Sequence, residues 1–182
     1  GGRLLKNETH VELGRKLTDG CIWTYEATPL GIMPEVFDML PCQLGSPCPW
    51  DEKKWHAKVL EKAGQDSGAD ASAIVQRERL PPGFTSISDR RYILRPEAIE
   101  SVFILYRITG DPLLQEKAWN MFTSISKYTE TEFANAALRD VTDPSAPKDD
   151  SMESFWTAET LKYFYLIFSE PDLISLDKFV FN

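Results

Sequence analysis

No apolar stretch in this sequence approaches the roughly 20 residues that a bilayer-spanning helix needs, and its opening residues carry no signal-peptide pattern. Histidine is scarce. His10 and His56 are the only two, each in a predicted surface helix without a partner at ligand spacing, which excludes an imidazole or thiolate metal centre. Basic charge is also in deficit: 20 Lys and Arg against 28 Asp and Glu leave a net charge of −8. That is the wrong sign for coating a phosphate backbone, so nucleic acid is not an expected partner. A glycine-rich phosphate loop, a Gly-x-Ser-x-Gly elbow and a cysteine in a nucleophile context are all missing, which removes the common nucleotide and acyl-transfer chemistries.

What is present is enough for one domain: 182 residues, 42% hydrophobic and 12% aromatic, with Trp23, Trp50, Trp55, Trp119 and Trp156 spread along the chain. The first residue is Gly1 rather than Met, so the chain is expected to be processed or a piece of something longer. Cys42 and Cys48 bracket the short loop PCQLGSPCP, where a disulfide and two free thiols are both open. Cys21 is left without a mate; it is either a buried thiol or paired with sequence outside the chain. Asn7-Glu8-Thr9 is a glycosylation sequon, which fits the secretory pathway or a secreted protein.

The spacing predicts a helix over residues 10–25, with Leu13, Leu17 and Cys21 on one face. A Pro-rich ordered loop follows over 28–49, then an amphipathic surface helix over 51–64 carrying Trp55, Val59 and Leu60. Residues 65–83 are the least structured by composition, and 84–95 are extended. The stretch LRPEAIESVFILYRITGD then opens on acids and continues as a nearly all-apolar helix, with Pro96 at its first position. Gly110 ends it, and Asp111 and Pro112 start an antiparallel neighbour running to about Tyr128. After a long connection over 132–148, Asp150 and Glu153 have capping-box spacing ahead of a helix over 152–168. The last residues, 178–182, alternate like a strand. The whole is all-α dominated, with small β-hairpins and long ordered loops that collect polar groups at one end.

Those polar groups are the candidate site. Arg95, Glu97 and Glu100 open one helix, Glu153, Phe155 and Glu159 open another, and Glu35 lies in a Pro-containing loop. Each acid alone reads as a helix cap or a solvated charge. Together, an arginine, several carboxylates and an aromatic ring are what a sugar site requires, since hydroxyls seek charged hydrogen-bond partners and the apolar sugar face stacks on a ring. Glycoside hydrolysis needs two such carboxyl groups placed across the scissile bond.

LRPEAIESVFILYRITGD resembles the LRPE-x-x-ES motif of class I α-1,2-mannosidases, glycoside hydrolase family 47. DDSMESFWTAETLKYFYLIFSEP is similar to that family's later D-x-x-ESF and E-x-x-KY segment, GIMPEVF to its G-x-x-PE loop, and FVFN to the start of its terminal motif. The flavour is that of the fungal secreted branch. The resemblance implies an (α/α)7 barrel plugged by a hairpin, with a calcium ion at its base and inversion at the sugar. It implies Glu97 as the general base acting through water and Arg95 and Glu100 as cavity neighbours. Phe155 would pack against mannose, Glu159 would lie near the sugar hydroxyls and calcium waters, and Glu35 would line the cavity.

The resemblance also implies what this chain does not hold. The general acid belongs to sequence preceding Gly1, the calcium-binding threonine would follow Asn182, and Cys21 would pair with a cysteine upstream of Gly1. Residues 1–182 are then expected to be the C-terminal part of one catalytic domain that trims high-mannose N-glycans, incomplete without its N-terminal half. Alone, the chain would expose the apolar surface where missing helices pack, and so aggregate. The alternative is a non-catalytic relative that binds glycans or serves in quality control.

Overall fold

A computed structural model describes residues 1–43, 45–64 and 68–181. It is mostly helical, with two small antiparallel sheets. Helix α1 (Glu8–Ala27) starts where the Asn7 side chain accepts a hydrogen bond from the His10 amide, as an N-cap should. Its buried face is Thr18, Ile22, Thr24 and Tyr25. Leu13 and Leu17, expected to mark the helical face, are instead 55% and 65% exposed.

Strand β1 (Val36–Met39) pairs with β2 (Phe84–Asp89), Val36 opposite Asp89 and Met39 opposite Phe84. Between them the chain makes α2 (Glu52–Lys62) and α3 (Ala71–Arg77). Helix α3 falls inside the stretch read as least structured. Asp70 caps it by accepting from the Ser72 amide, and Ala71 and Ile74 are buried beside Trp55, Val59, Leu60 and Phe84 in a small second core. The Trp55 indole N–H donates to the Phe84 carbonyl at 2.7 Å and ties α2 to the hairpin. Gly83 needs to be glycine: its φ is +93°, and a Cβ there would meet the Trp23 ring at 3.3 Å. Cys42 and Cys48 form a disulfide in the loop after β1. Leu44 of that loop and residues 65–67 of the polar stretch lie outside the described residues.

Helix α4 (Glu97–Thr109) and helix α5 (Leu113–Thr129) are joined as the sequence indicates. Gly110 takes the left-handed conformation and returns its amide to the Tyr106 carbonyl, while Asp111 accepts from the Leu113 amide. Pro96 precedes the first helical residue rather than occupying it. Strands β3 (Ala137–Leu138) and β4 (Lys148–Asp149) form the second sheet, and Tyr92 bridges to Leu138 through both backbone bonds.

The last helical segment departs most from expectation. It begins as a π turn, Trp156–Thr160, and becomes α6 (Leu161–Ile167); no side-chain cap forms at its start, so Asp150 and Glu153 make no capping box. The reason lies in a distant partner. Trp156, where the helical segment begins, is buried, and its indole N–H donates to Asn135 at 3.1 Å, a contact 21 residues away that spacing alone does not reveal. The predicted terminal strand does not form among the described residues: the chain runs through turns to Phe181, whose ring packs on Phe103 and Tyr163. Asn182 lies outside the described residues.

The main core joins Ile22 and Tyr25 of α1, Ile99, Val102 and Phe103 of α4, Met121 and Ile125 of α5, and Tyr163 and Ile167 of α6. Burying such a set stabilises by roughly 1.5–3 kcal/mol per large side chain, which fixes the starts of α4 and the π turn side by side. No helix among the described residues is long and apolar enough to cross a membrane.

Candidate functional site

The approach to α4 is extended through Tyr92, then reverses at Leu94, whose φ is +68°. A left-handed leucine costs on the order of 1 kcal/mol or more. It is held because the Leu94 side chain is fully buried and its carbonyl accepts from the Thr160 hydroxyl at 2.7 Å. The next residue, Arg95, therefore leaves the core at the mouth formed by the two helix starts.

Arg95 gathers the predicted residues around itself. Its Nε donates to Glu35 Oε2 at 2.5 Å, its Nη1 lies 3.7 Å from Glu97 Oε1, and its guanidinium carbon stands 5.8 Å from the centre of the Phe155 ring. Glu35 is held from a second side, since its other oxygen accepts from the Ile93 amide at 3.0 Å and its side chain is 9% exposed. Bonding to Glu35 pushes the guanidinium above its ordinary value, and the charges of Glu97 and Glu153 add to it. Glu97 is different: 64% exposed at the start of a helix, it has a free face toward solvent. That combination, a carboxylate steadied from one side by a cation and open on the other, suits a group that takes a proton from water.

Glu100 and Glu159 are not drawn to Arg95. Glu100 instead accepts from the Tyr163 hydroxyl at 3.0 Å, and the charge of Glu159 also acts on that phenol. Burial raises the Tyr163 phenol first, then the bond to Glu100 and the negative charges of Glu100 and Glu159. Sequence reasoning gave Tyr163 no role. The available signal was a tyrosine among apolar neighbours, whose hydroxyl has to find a polar partner.

Under Arg95 lies a cleft of about 50 Å³ lined by Tyr25, Glu35, Tyr92 and Glu97 among others. Burial pushes the Tyr25 and Tyr92 phenols up, with the charges of Glu35 and Glu97 contributing. The Tyr92 oxygen is buried without a hydrogen-bond partner of good geometry among the described residues, although Tyr25 faces it. Neither tyrosine had been singled out.

The structure thus brings Glu35, Arg95, Glu97 and Phe155 into one cluster and pairs Glu100 with Tyr163, while Glu159 of the π turn joins neither through a direct bond among the described residues. Asn7 and the Cys42–Cys48 pair lie elsewhere, on α1 and the hairpin loop. Cys21 is half-buried on α1, and its thiol is raised by burial. Among the described residues no three His, Cys, Asp or Glu side chains form a group able to hold a metal ion.

The sequence matches the description "Glycosyl hydrolase family 47" over residues 1–182. It is 36% identical to mannosyl-oligosaccharide alpha-1,2-mannosidase 1B of Emericella nidulans over 188 aligned positions, covering 100% of this chain and 32% of that protein. It is 34% identical to mannosyl-oligosaccharide 1,2-alpha-mannosidase MNS3 of Arabidopsis thaliana, covering 95% of this chain and 24% of that protein. Among solved structures, an α-1,2-mannosidase from Trichoderma reesei superposes with a TM-score of 0.72 at 33% identity, covering 93% of this chain and 31% of that one. Its fold is an (α/α)7 barrel. The chain therefore spans about a quarter to a third of the length of these relatives. By motif, by sequence and by the arrangement of its helices, this chain belongs to glycosyl hydrolase family 47.

Proposed function

We propose that this chain is the C-terminal part of the catalytic domain of an inverting exo-α-1,2-mannosidase that removes mannose from high-mannose N-glycans. The observation that carries the reading is the Arg95 cluster, in which one guanidinium reaches Glu35, Glu97 and the Phe155 ring. Phe155 offers a face for the apolar side of a mannose ring, and Arg95, Glu35 and Glu100 offer charged partners for its hydroxyls. Glu97 is the general base. As a water oxygen attacks the anomeric carbon, its proton passes to the Glu97 carboxylate, and the glycosidic bond breaks with a proton delivered to the leaving oxygen by a general acid elsewhere in the domain. In an inverting enzyme the two carboxyl groups stand roughly 6.5–9.5 Å apart, leaving room for that water.

A calcium ion at the base of the cavity belongs to this reading. The described residues do not supply a ligand set by themselves, and the threonine implied by the family resemblance would lie beyond Asn182. Glu159 would meet the ion through water. The Cys42–Cys48 disulfide and the Asn7 sequon support passage through the secretory pathway, where thiols are oxidised and N-glycans attached. Asn7 caps α1 with its side-chain oxygen, which leaves the amide nitrogen to carry a glycan.

The test uses the complete catalytic domain containing this chain and a Man-α-1,2-Man disaccharide, followed by proton NMR. Early release of β-mannose is expected. Early α-mannose contradicts inversion, and calorimetric binding without any hydrolysis replaces the enzyme reading with that of a glycan-binding relative.

A further inference from the structure

Five threonines in the α-helices satisfy their hydroxyls within their own helix, and Thr157 of the π turn does so locally too, on the Ser154 carbonyl. Thr18, Thr24, Thr109, Thr123 and Thr129 each return the hydroxyl to the carbonyl four residues earlier in their own helix, the usual way a mid-helix threonine satisfies itself. Thr160 does not. Its hydroxyl, wholly buried, leaves its own helix and donates at 2.7 Å to the carbonyl of Leu94, 66 residues away. The π turn accounts for the exception: there the Trp156 carbonyl accepts the Leu161 amide, five residues on, and the turn is wider than an α turn. Such turns recur at functional sites.

The receiving carbonyl belongs to the strained residue of the mouth. Leu94 has φ +68° and is fully buried, so its backbone has two anchors, the side chain in the core and the carbonyl on Thr160. Immediately downstream, Arg95 and Glu97 emerge. Non-glycine residues hold a left-handed conformation only where their surroundings over-determine it.

We propose that Thr160 is a positioning residue for the candidate base: by holding the Leu94 carbonyl, its hydroxyl locks the left-handed turn from which Arg95 and Glu97 enter the mouth. The catalytic part of this inference rests on the mannosidase reading; the part concerning the backbone does not.

The experiment compares Thr160→Val, which keeps shape and loses the hydroxyl, with Thr160→Ser, which keeps the hydroxyl, both in the complete catalytic domain. Two readouts are taken: kcat/KM on the disaccharide, and amide hydrogen exchange over residues 92–100 with α5 as the internal reference. Thr160→Val is expected to lower kcat/KM about tenfold or more, the scale of a small misplacement of reacting groups. It should also speed exchange over 92–100 while leaving α5 unchanged, and Thr160→Ser should restore both. Wild-type kcat/KM and wild-type exchange in Thr160→Val overturn the proposal. So does a failure of Thr160→Ser to restore them. If Thr160→Val does not fold, Thr160→Ser and Thr160→Cys carry the same comparison, since they are alike in shape and differ in donor strength; equal behaviour overturns the proposal. A wild-type domain that releases no mannose sinks the mannosidase reading instead, and the exchange readout still decides whether Thr160 holds the turn.

Discussion

The mouth of α4 and the flank that α4 shares with α1 and the residues before it could hardly differ more. At the mouth, Arg95, Glu35, Glu97 and Glu100 each find a partner within this chain. On the flank, Leu4 is 88% exposed and Leu17 65%. A groove of about 450 Å³ runs beside Leu4, lined also by Ile104, Ile108, Leu176 and Phe179, with Glu100 at its edge where flank and mouth meet. Exposed apolar surface of this kind is poorly covered by water and tends to be buried against other protein. The polar contacts of the candidate site are made within these residues, whereas the hydrophobic packing around α1 is not completed by them. We attribute the uncovered flank to the remainder of the catalytic domain.

Arg95→Ala should have the largest effect of the changes that probe this contrast. It strips Glu35, a carboxylate almost out of water, of all but its bond to the Ile93 amide, which should cost about 1–3 kcal/mol of stability in denaturant unfolding. Turnover of the disaccharide by the complete domain should fall by about 100-fold, because the group that spans the cluster is gone. A stable and active variant would mean that the cluster is merely a surface ion pair. Tyr163→Phe should cost less, about 1 kcal/mol, by removing the donor to half-buried Glu100 without opening a cavity.

Alkaline pH tests the buried phenols. Tyr25, Tyr92 and Tyr163 are all raised above the ordinary value near 10. Because the folded value is the higher one, their contribution is fully present below about pH 10 and is lost as pH rises through the folded values. An ultraviolet titration should therefore show these three ionising late, together with unfolding. A titration of all tyrosines near pH 10 in the intact fold would contradict their burial.

The smallest effect is expected on the flank. Leu13→Ser with Leu17→Ser should change the stability of the chain alone by only about 0.5 kcal/mol while reducing its binding of a hydrophobic dye. A loss as large as that of a core substitution would erase the distinction between flank and mouth.

Much of this was legible in the sequence, and the reasons are specific. Gly110, Asp111 and Pro112 announced the α4–α5 turn because each residue type answers a local backbone demand. Arg95, Glu97 and Phe155 stand at the starts of apolar helices and Glu35 in a Pro-containing loop, but spacing alone left each acid as a cap or a solvated charge, and the motif resemblance is what drew them together. Less legible was anything decided by a distant partner. Helix α3 depends on burying Ala71 and Ile74 against α2 and the hairpin, and the stripe of Leu13 and Leu17 could not show which face of α1 would turn inward. The π turn at Trp156, the left-handed Leu94 and the Thr160 bond between them have no local signature, since each exists only once the two helix starts are side by side.

On the proposed reading, Glu97 takes the proton from the attacking water. The most direct test is mannose release from the Man-α-1,2-Man disaccharide by the complete domain carrying Glu97→Gln, which alters an exposed side chain and leaves the Arg95–Glu35 pair intact. The account predicts a fall in kcat of about 10²–10⁴ with unchanged melting; turnover at the wild-type rate would contradict it.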